Sequence, residues 1–180
     1  MMRVITGSAR GRKLATLEGA DITRPTSESV KEAVFSMIQF ELEDKNVLDL
    51  FAGSGQMGIE AISRGAKHCT FIETDRNAKT IIEQNVKNCK FENESTVILA
   101  DAVSFLSRNN KFDIVFVDPP YKNGLAQKTL AKISNVLTEN ALVICETDFS
   151  ESLPNDLSDL KIIKEKKYGK TKITVYRKES

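Results

Sequence analysis

The sequence is poor in the residues that build metal and thiol sites. It holds one histidine, His68, so imidazole-based catalysis or metal binding is poorly supplied. Its three cysteines, Cys69, Cys89 and Cys145, lie far apart with no Cys-x-x-Cys pair. An odd, scattered set fits a reducing cytoplasm and argues against a cysteine-built zinc site, so no metal is expected. No apolar run approaches the roughly 18 residues of a membrane span. The start, Met1 to Gly7, has no apolar stretch of the secretory kind. With 41% hydrophobic and 28% charged residues, the chain is not disordered, collagen-like or a disulfide scaffold. Its 180 residues predict one domain, residues 1–180, able to bury on the order of 70% of the unfolded surface.

Charge is present but unevenly placed. The net charge is +1. Residues 1–17 carry Arg3, Arg10, Arg12 and Lys13 and no acid. Residues 161–180 carry eight basic side chains, Lys170 and Lys172 among them, against Glu165 and Glu179. The central 143 residues therefore sum to −9. Basic ends on an acidic body suggest a polyanion gripped by the ends. Solvated strand edges guarded by lysine would look the same.

The order of elements points to an α/β sheet. Residues 3–6 and 13–17 read as short strands around a Gly7 to Gly11 turn. Pro25 opens a helical pattern with Thr26 as N-cap, and Val30, Ala33, Val34, Met37 and Ile38 recur at helical spacing. From Val47 strand and helix alternate. Strands are expected at 47–51, 69–72, 96–99, 112–117 and 141–145, with helices at 58–64, 76–89, 103–106 and 125–137. Alternation with apolar strands means a mainly parallel sheet of Rossmann-like type. Residues 160–166 and 171–177 read as a closing hairpin around Tyr168-Gly169-Lys170, so one late strand should run antiparallel. Residues 1–40 form an N-terminal hairpin and helix, and 41–180 the core.

Gly53-Ser54-Gly55-Gln56-Met57-Gly58 fits G-x-G-x-x-G between a strand and a helix, and Glu73 ends the next strand. Glycines admit a ligand close to the backbone, and the carboxylate can take ribose hydroxyls. Asp49, at the end of the first strand, and Asp101-Ala102, after the third, suit a cationic cofactor such as S-adenosyl-L-methionine better than a pyrophosphate. Asp101 could equally be a helix N-cap, and the two roles are compatible.

Asp118-Pro119-Pro120-Tyr121 closes the fourth strand. Two prolines stiffen the backbone and remove two N–H donors. The Asp118 carboxylate and Pro119 carbonyl are then acceptors that can hold both protons of an exocyclic amine. Holding them while nitrogen becomes tetrahedral favours attack on a methyl group. Tyr121 offers a stacking face.

Asp49-Leu-Phe-Ala-Gly-Ser-Gly, Glu73, Asp101 and Asp118-Pro-Pro-Tyr together resemble a class I methyltransferase that acts on an amino group. Arg3-Val-Ile-Thr-Gly, Gly11-Arg12, Arg24-Pro25-Thr26 and Ser63-Arg64-Gly65-Ala66 extend the resemblance to the RsmD family over essentially the whole chain. That resemblance implies methyl transfer to the N2 amine of a guanine in bacterial 16S ribosomal RNA. A chain this small, with no recognition module, is expected to need ribosomal proteins to shape its target in a small-subunit particle, with naked RNA the alternative; the cysteines point to the cytoplasm, and nothing suggests more than a monomer. It implies that Gly53 and Gly55 pack under the cofactor, with Asp49 near its amino-acid end and Phe51 in the same stretch. Glu73 would hold the ribose, Asp101 and Ala102 the adenine, and Arg24, Pro25 and Thr26 would cover the pocket. Asp118, with Pro119 and Pro120, would grip the amine and border the cofactor; Tyr121 would place the base. Arg3, Arg10, Arg12, Lys13, Lys170 and Lys172 are the candidate RNA contacts. Ser27-Glu28-Ser29 and Gln56-Met57 depart from the family's usual pattern without touching the reaction centre.

Three rivals remain at this level. A nicotinamide-dependent dehydrogenase accounts for the glycine loop and Glu73 but not for Asp118-Pro-Pro-Tyr. A DNA adenine methyltransferase shares that segment but is expected to need a target-recognition region that a chain of this length lacks. A non-catalytic RNA-binding protein would not need Glu73, Asp118 and Pro119 together.

Overall fold

The computed structural model describes residues 2–17, 27–120, 124–154, 157 and 159–179. Seven strands form one sheet: β1 (Asn46–Asp49), β2 (His68–Glu73), β3 (Ser95–Leu99), β4 (Phe112–Val117), β5 (Leu137–Asp148), β6 (Leu160–Tyr168) and β7 (Thr171–Lys178). Their order is β3-β2-β1-β4-β5-β7-β6. The first five are mutually parallel, and β7 runs antiparallel to both β5 and β6. The expected parallel sheet with a closing antiparallel hairpin is therefore present.

The side chains of β1, β2, β4, β5 and β7 alternate between two apolar layers. Val47, Phe71, Ile114, Phe116 and Val175 face one cluster, which also holds Val4, Leu14, Val34 and Phe35. Helices α1 (Glu28–Met37), α2 (Gln56–Ser63) and α3 (Arg76–Cys89) cover this side. Leu48, Leu50, Val115, Val143 and Tyr176 face the other, beneath α4 (Ala102–Phe105) and α5 (Leu125–Ile133).

The chain winds outward from β1 to β3, then returns to lay β4 on the free side of β1. This reversal opens a crevice at the C-terminal ends of β1 and β4, where ligands of such sheets bind. Asp49 ends β1, and Asp118 follows the last residue of β4.

Several expectations need correction. The two N-terminal strands reduce to one bridge, Arg3 to Lys13. The reason is competition for a donor: the Glu60 carboxylate takes the Ile5 N–H (2.8 Å) and also the Thr6 N–H (3.0 Å), the next donor on the side that Val4 uses to bond Arg12. Helix α1 is capped by Ser27, whose Oγ accepts the Val30 N–H at 3.3 Å. The expected start at Pro25 and Thr26 lies outside the described residues. The inward face of α1 holds the expected Val30, Val34 and, at its C-cap, Ile38, with Met37 half-buried against the same core; Lys31 and Phe35 are buried there as well, and Ala33 is half-buried. α2 starts two residues earlier than expected. α4 starts one residue early and ends one residue short of the expected 103–106, with Leu106 as its C-cap. α5 stops at Ile133, and a 3-10 turn fills 134–136. β5 is longer because β4 and β7 supply partners on both sides, with a register shift opposite Phe112–Ile114.

Candidate active site

The glycine loop crosses the top of β1 and enters α2. Gly53 and Gly55 have φ of +56° and +79°, in the left-handed region that favours glycine. A Cβ on Gly53 would meet nothing within 4 Å, so this side of the loop faces open space. Gly58 is needed for packing: a Cβ there would lie 2.3 Å from Phe71 Cε1.

Two carboxylates brace this loop from below. Asp49 is 4% exposed, and its Oδ2 accepts the Gly58 N–H at 3.1 Å. Burial pushes its carboxyl up to about 7, against the pull of the Gly58 N–H; the nearby Glu73 adds to the rise. Glu73 accepts the Gly53 N–H at 2.9 Å on Oε2, and the Thr74 and Asp75 N–H groups at 2.8 and 2.9 Å on Oε1. Its Oε2 keeps lone-pair capacity for a ligand hydroxyl.

Asp101 is exposed beyond β3 and caps α4, accepting the Ser104 N–H at 2.8 Å. That hydrogen bond holds its carboxyl below the usual range. Ala102 is buried beside it, and Phe51 packs half-buried against the second layer.

Asp118 is half-buried, Pro119 buried and Pro120 exposed. Asp49 is in register with Phe116, two residues before Asp118. One strand spacing and two residue rises put the two acids about 8 Å apart. Burial pushes the Cys145 thiol up, and the Asp118 carboxylate adds to it across the β4–β5 boundary. Tyr121 and Arg24, Pro25 and Thr26 lie outside the described residues.

The arrangement fits S-adenosylmethionine. A buried carboxylate held at the cost of desolvation, an open glycine loop, and a second carboxylate at the next strand end match its ammonium, its bulk and its ribose. The family model described as "Conserved hypothetical protein 95" matches residues 2–177. The ribosomal RNA small subunit methyltransferase D of Escherichia coli K12 is 35% identical over 182 residues, covering 99% of this chain and 91% of that protein. The chain belongs to the RsmD family. YlbH of Bacillus subtilis is 38% identical over 183 residues, covering 98% of this chain and 99% of its own. The solved structure of YhhF from Escherichia coli matches with a TM-score of 0.86 at 33% identity, covering 99% and 98% of the two chains. The RsmD-family chain has the class I methyltransferase fold. Among the described residues no helix is long and apolar enough to cross a membrane, and no cluster of metal-ligating side chains is present.

The candidate RNA contacts fall in two places. The N-terminal turn packs on the last residue of α2: the Ser8 N–H donates to the Ser63 carbonyl at 2.8 Å and the Ala9 N–H to Ser63 Oγ at 2.9 Å. Eight helical residues, about 12 Å, separate this turn from the glycine loop. Arg10, Arg12 and Lys13 are exposed there, while Arg3 pairs with Glu28 at 3.3 Å. Arg3 and Arg10 line a cleft of about 240 Å³ together with Glu28 and Glu32, so acids partly offset these cations. Lys170, by contrast, sits in the β6–β7 turn. β7 begins beside Asp148, so this turn lies on the sheet edge that carries Asp49 and Asp118. Lys170 is exposed; the Lys172 ammonium donates to the Glu151 carbonyl at 2.8 Å.

One buried polar group escaped the sequence reading. Glu60 and Lys31 are fully buried, 3.6 Å apart, and Arg64 Nε bonds Glu60 at 2.8 Å. Lys31 Nζ also donates to the Arg3 carbonyl at 2.7 Å. Burial pulls the Lys31 ammonium below its ordinary range, against the pull of Glu60. The signal was available: Lys31 sits three and four residues before Val34 and Phe35, inside the apolar stripe.

Proposed function

We propose that this chain transfers a methyl group from S-adenosylmethionine to the exocyclic N2 amine of a guanine in 16S ribosomal RNA, in the cytoplasm. The observation that carries the reading is the placement of Asp118-Pro119-Pro120 at the end of β4, across the crevice from Asp49 and the glycine loop. The relatives named as small-subunit ribosomal RNA methyltransferases support the substrate class.

S-adenosylmethionine, when bound, supplies an electrophilic methyl group on sulfonium. Asp49 would face its ammonium end, and Phe51, Gly53 and Gly55 would line the approach. Glu73 would hold the ribose, and Asp101 with Ala102 the adenine; the family resemblance assigns Arg24, Pro25 and Thr26 to the cofactor pocket as well. Asp118 and the Pro119 carbonyl each accept one N–H of the guanine amine. The amine then loses conjugation with its ring and its lone pair points at the methyl carbon. As the N–C bond formed, the methyl–sulfur bond would break and S-adenosylhomocysteine would leave as a neutral thioether; the nitrogen would become cationic beside Asp118, whose charge would stabilise it, and its extra proton would then pass to solvent. Pro120 would stiffen the segment, and the family resemblance gives Tyr121 the role of stacking on the base. The shared apolar cluster of Val4 and Leu14 with β1 and β4 supports a single catalytic unit over residues 1–180.

The test is methyl transfer from labelled S-adenosylmethionine to small ribosomal subunits from cells lacking this protein. Nuclease digestion should yield labelled N2-methylguanosine. Label in N6-methyladenosine, or none despite bound cofactor, would overturn the assignment.

A further inference from the structure

We propose that Phe149, backed by Lys167, is a stacking shelf for a nucleobase neighbouring the target guanine. This rests on the ribosomal RNA reading above and adds to it a recognition residue.

Phe149 is the first residue after β5, and 49% of it is exposed. β5 is the immediate neighbour of β4, with Cys145 in register with Val117. Phe149 is four residues beyond Cys145, and Asp118 one beyond Val117. One strand spacing and three residue rises separate them by on the order of 11 Å. The aromatic thus stands on the edge that holds the amine grip, at the distance of a flanking nucleotide rather than of the reacting base.

The turn that presents Phe149 is fixed by five hydrogen bonds. The Phe149 N–H donates to the Lys170 carbonyl at 2.7 Å, and the Glu151 N–H to the Asp148 carbonyl at 3.0 Å. The Ser150 N–H and hydroxyl both donate to Asp148 Oδ1, at 2.9 and 2.6 Å. Lys172 closes the far side on the Glu151 carbonyl. A half-exposed phenyl ring on so braced a turn is pre-organised, so little ordering entropy remains to be lost on binding.

Charge complementarity selects the occupant. Lys167 Nζ lies 3.6 Å from the Phe149 ring centroid. Lys164, Lys166 and Lys170 are exposed on the same hairpin. An aromatic face set among lysines is how proteins hold single-stranded nucleic acid: cations track phosphates while a ring stacks on a base.

The test compares wild-type protein with F149A, F149Y and the triple variant K166A/K167A/K170A on small subunits from cells lacking this protein. For F149A the KM for subunits should rise about tenfold or more, with kcat and S-adenosylmethionine affinity unchanged. F149Y, which keeps the ring, should restore it. Stacking carries no counterions, so F149A should leave the slope of log affinity against log salt intact, whereas the triple lysine variant should flatten it. An F149A protein that matches an active wild type overturns the shelf alone. A loss shared by cofactor binding and thermal stability also overturns it, since that marks a structural residue. A wild type that neither binds nor methylates subunits overturns the underlying reading, and the shelf with it.

Discussion

Under the proposed function Asp118 would serve the reaction and Glu73 cofactor binding, and single substitutions should separate them. D118A should lower kcat at least about a hundredfold, because the cationic nitrogen loses its counter-charge, while cofactor affinity by calorimetry changes little. E73A should weaken cofactor binding about tenfold or more and leave kcat at saturation much nearer to wild type. Asp49 adds a pH signature. Its folded carboxyl, raised to about 7 from 3.8, binds a proton that the unfolded chain releases. The ligand-free protein should therefore lose stability as pH rises from about 4 through about 7, then level off. Cofactor affinity should move oppositely, tightening from pH 5.5 to 7.5 as the carboxylate forms opposite the ammonium. D49N keeps an acceptor for Gly58 but no charge. Its thermal stability and its cofactor affinity should both be flatter over that range; an unchanged affinity profile would remove Asp49 from the ammonium contact.

At the scale of elements, the N-terminal segment is fastened by the buried Glu60 group and by one close approach. Glu60 receives the Ile5 and Thr6 N–H groups and pairs with Lys31 and Arg64, so it joins the segment, α1 and α2 at one point. Removing one partner of a buried pair costs about 3–5 kcal/mol, because the other charge stays buried. L-side chains do not fit at Gly7, where a Cβ would sit 1.7 Å from the Ser63 carbonyl oxygen. E60A and G7A should each lower the chemical-denaturation midpoint. In both, protease should cut within residues 2–17 before the sheet core. Uniform protection would show that the segment is not fastened there.

For the whole molecule, the two basic ends are not equivalent. Lys166, Lys167 and Lys170, at the turn end of the hairpin, lie toward the sheet edge that carries Asp49 and Asp118, whereas the N-terminal turn lies at the far end of α2 with Glu28 and Glu32 beside it. Removing Arg10, Arg12 and Lys13 together should weaken binding to small subunits and reduce its salt slope by less than three, the number of charges deleted. Removing Lys166, Lys167 and Lys170 should reduce it more. Equal slopes for the two triple variants would place both ends on the same RNA track.

The sequence alone determined the order of elements, because strand and helix periods are local and the glycine loop and Asp-Pro-Pro segment mark their junctions. β4 and α3 fall at the expected residues, and the closing hairpin reverses β7 as its turn demands. Glu73 and Asp118 were legible as candidates because each ends a strand, and strand ends of a parallel sheet share one edge. What the tertiary structure decided is what depends on partners distant in the chain. Glu60 takes donors from 54 and 55 residues away, which turns the expected N-terminal strands into a single bridge. β5 gains its length from β4, about 25 residues earlier, and from β7, about 30 residues later. The switch of winding between β1 and β4 puts Asp49 and Asp118 across one crevice, and the hairpin register carries Lys167 over Phe149. Neither placement follows from local pattern, since both depend on which strand lies beside which.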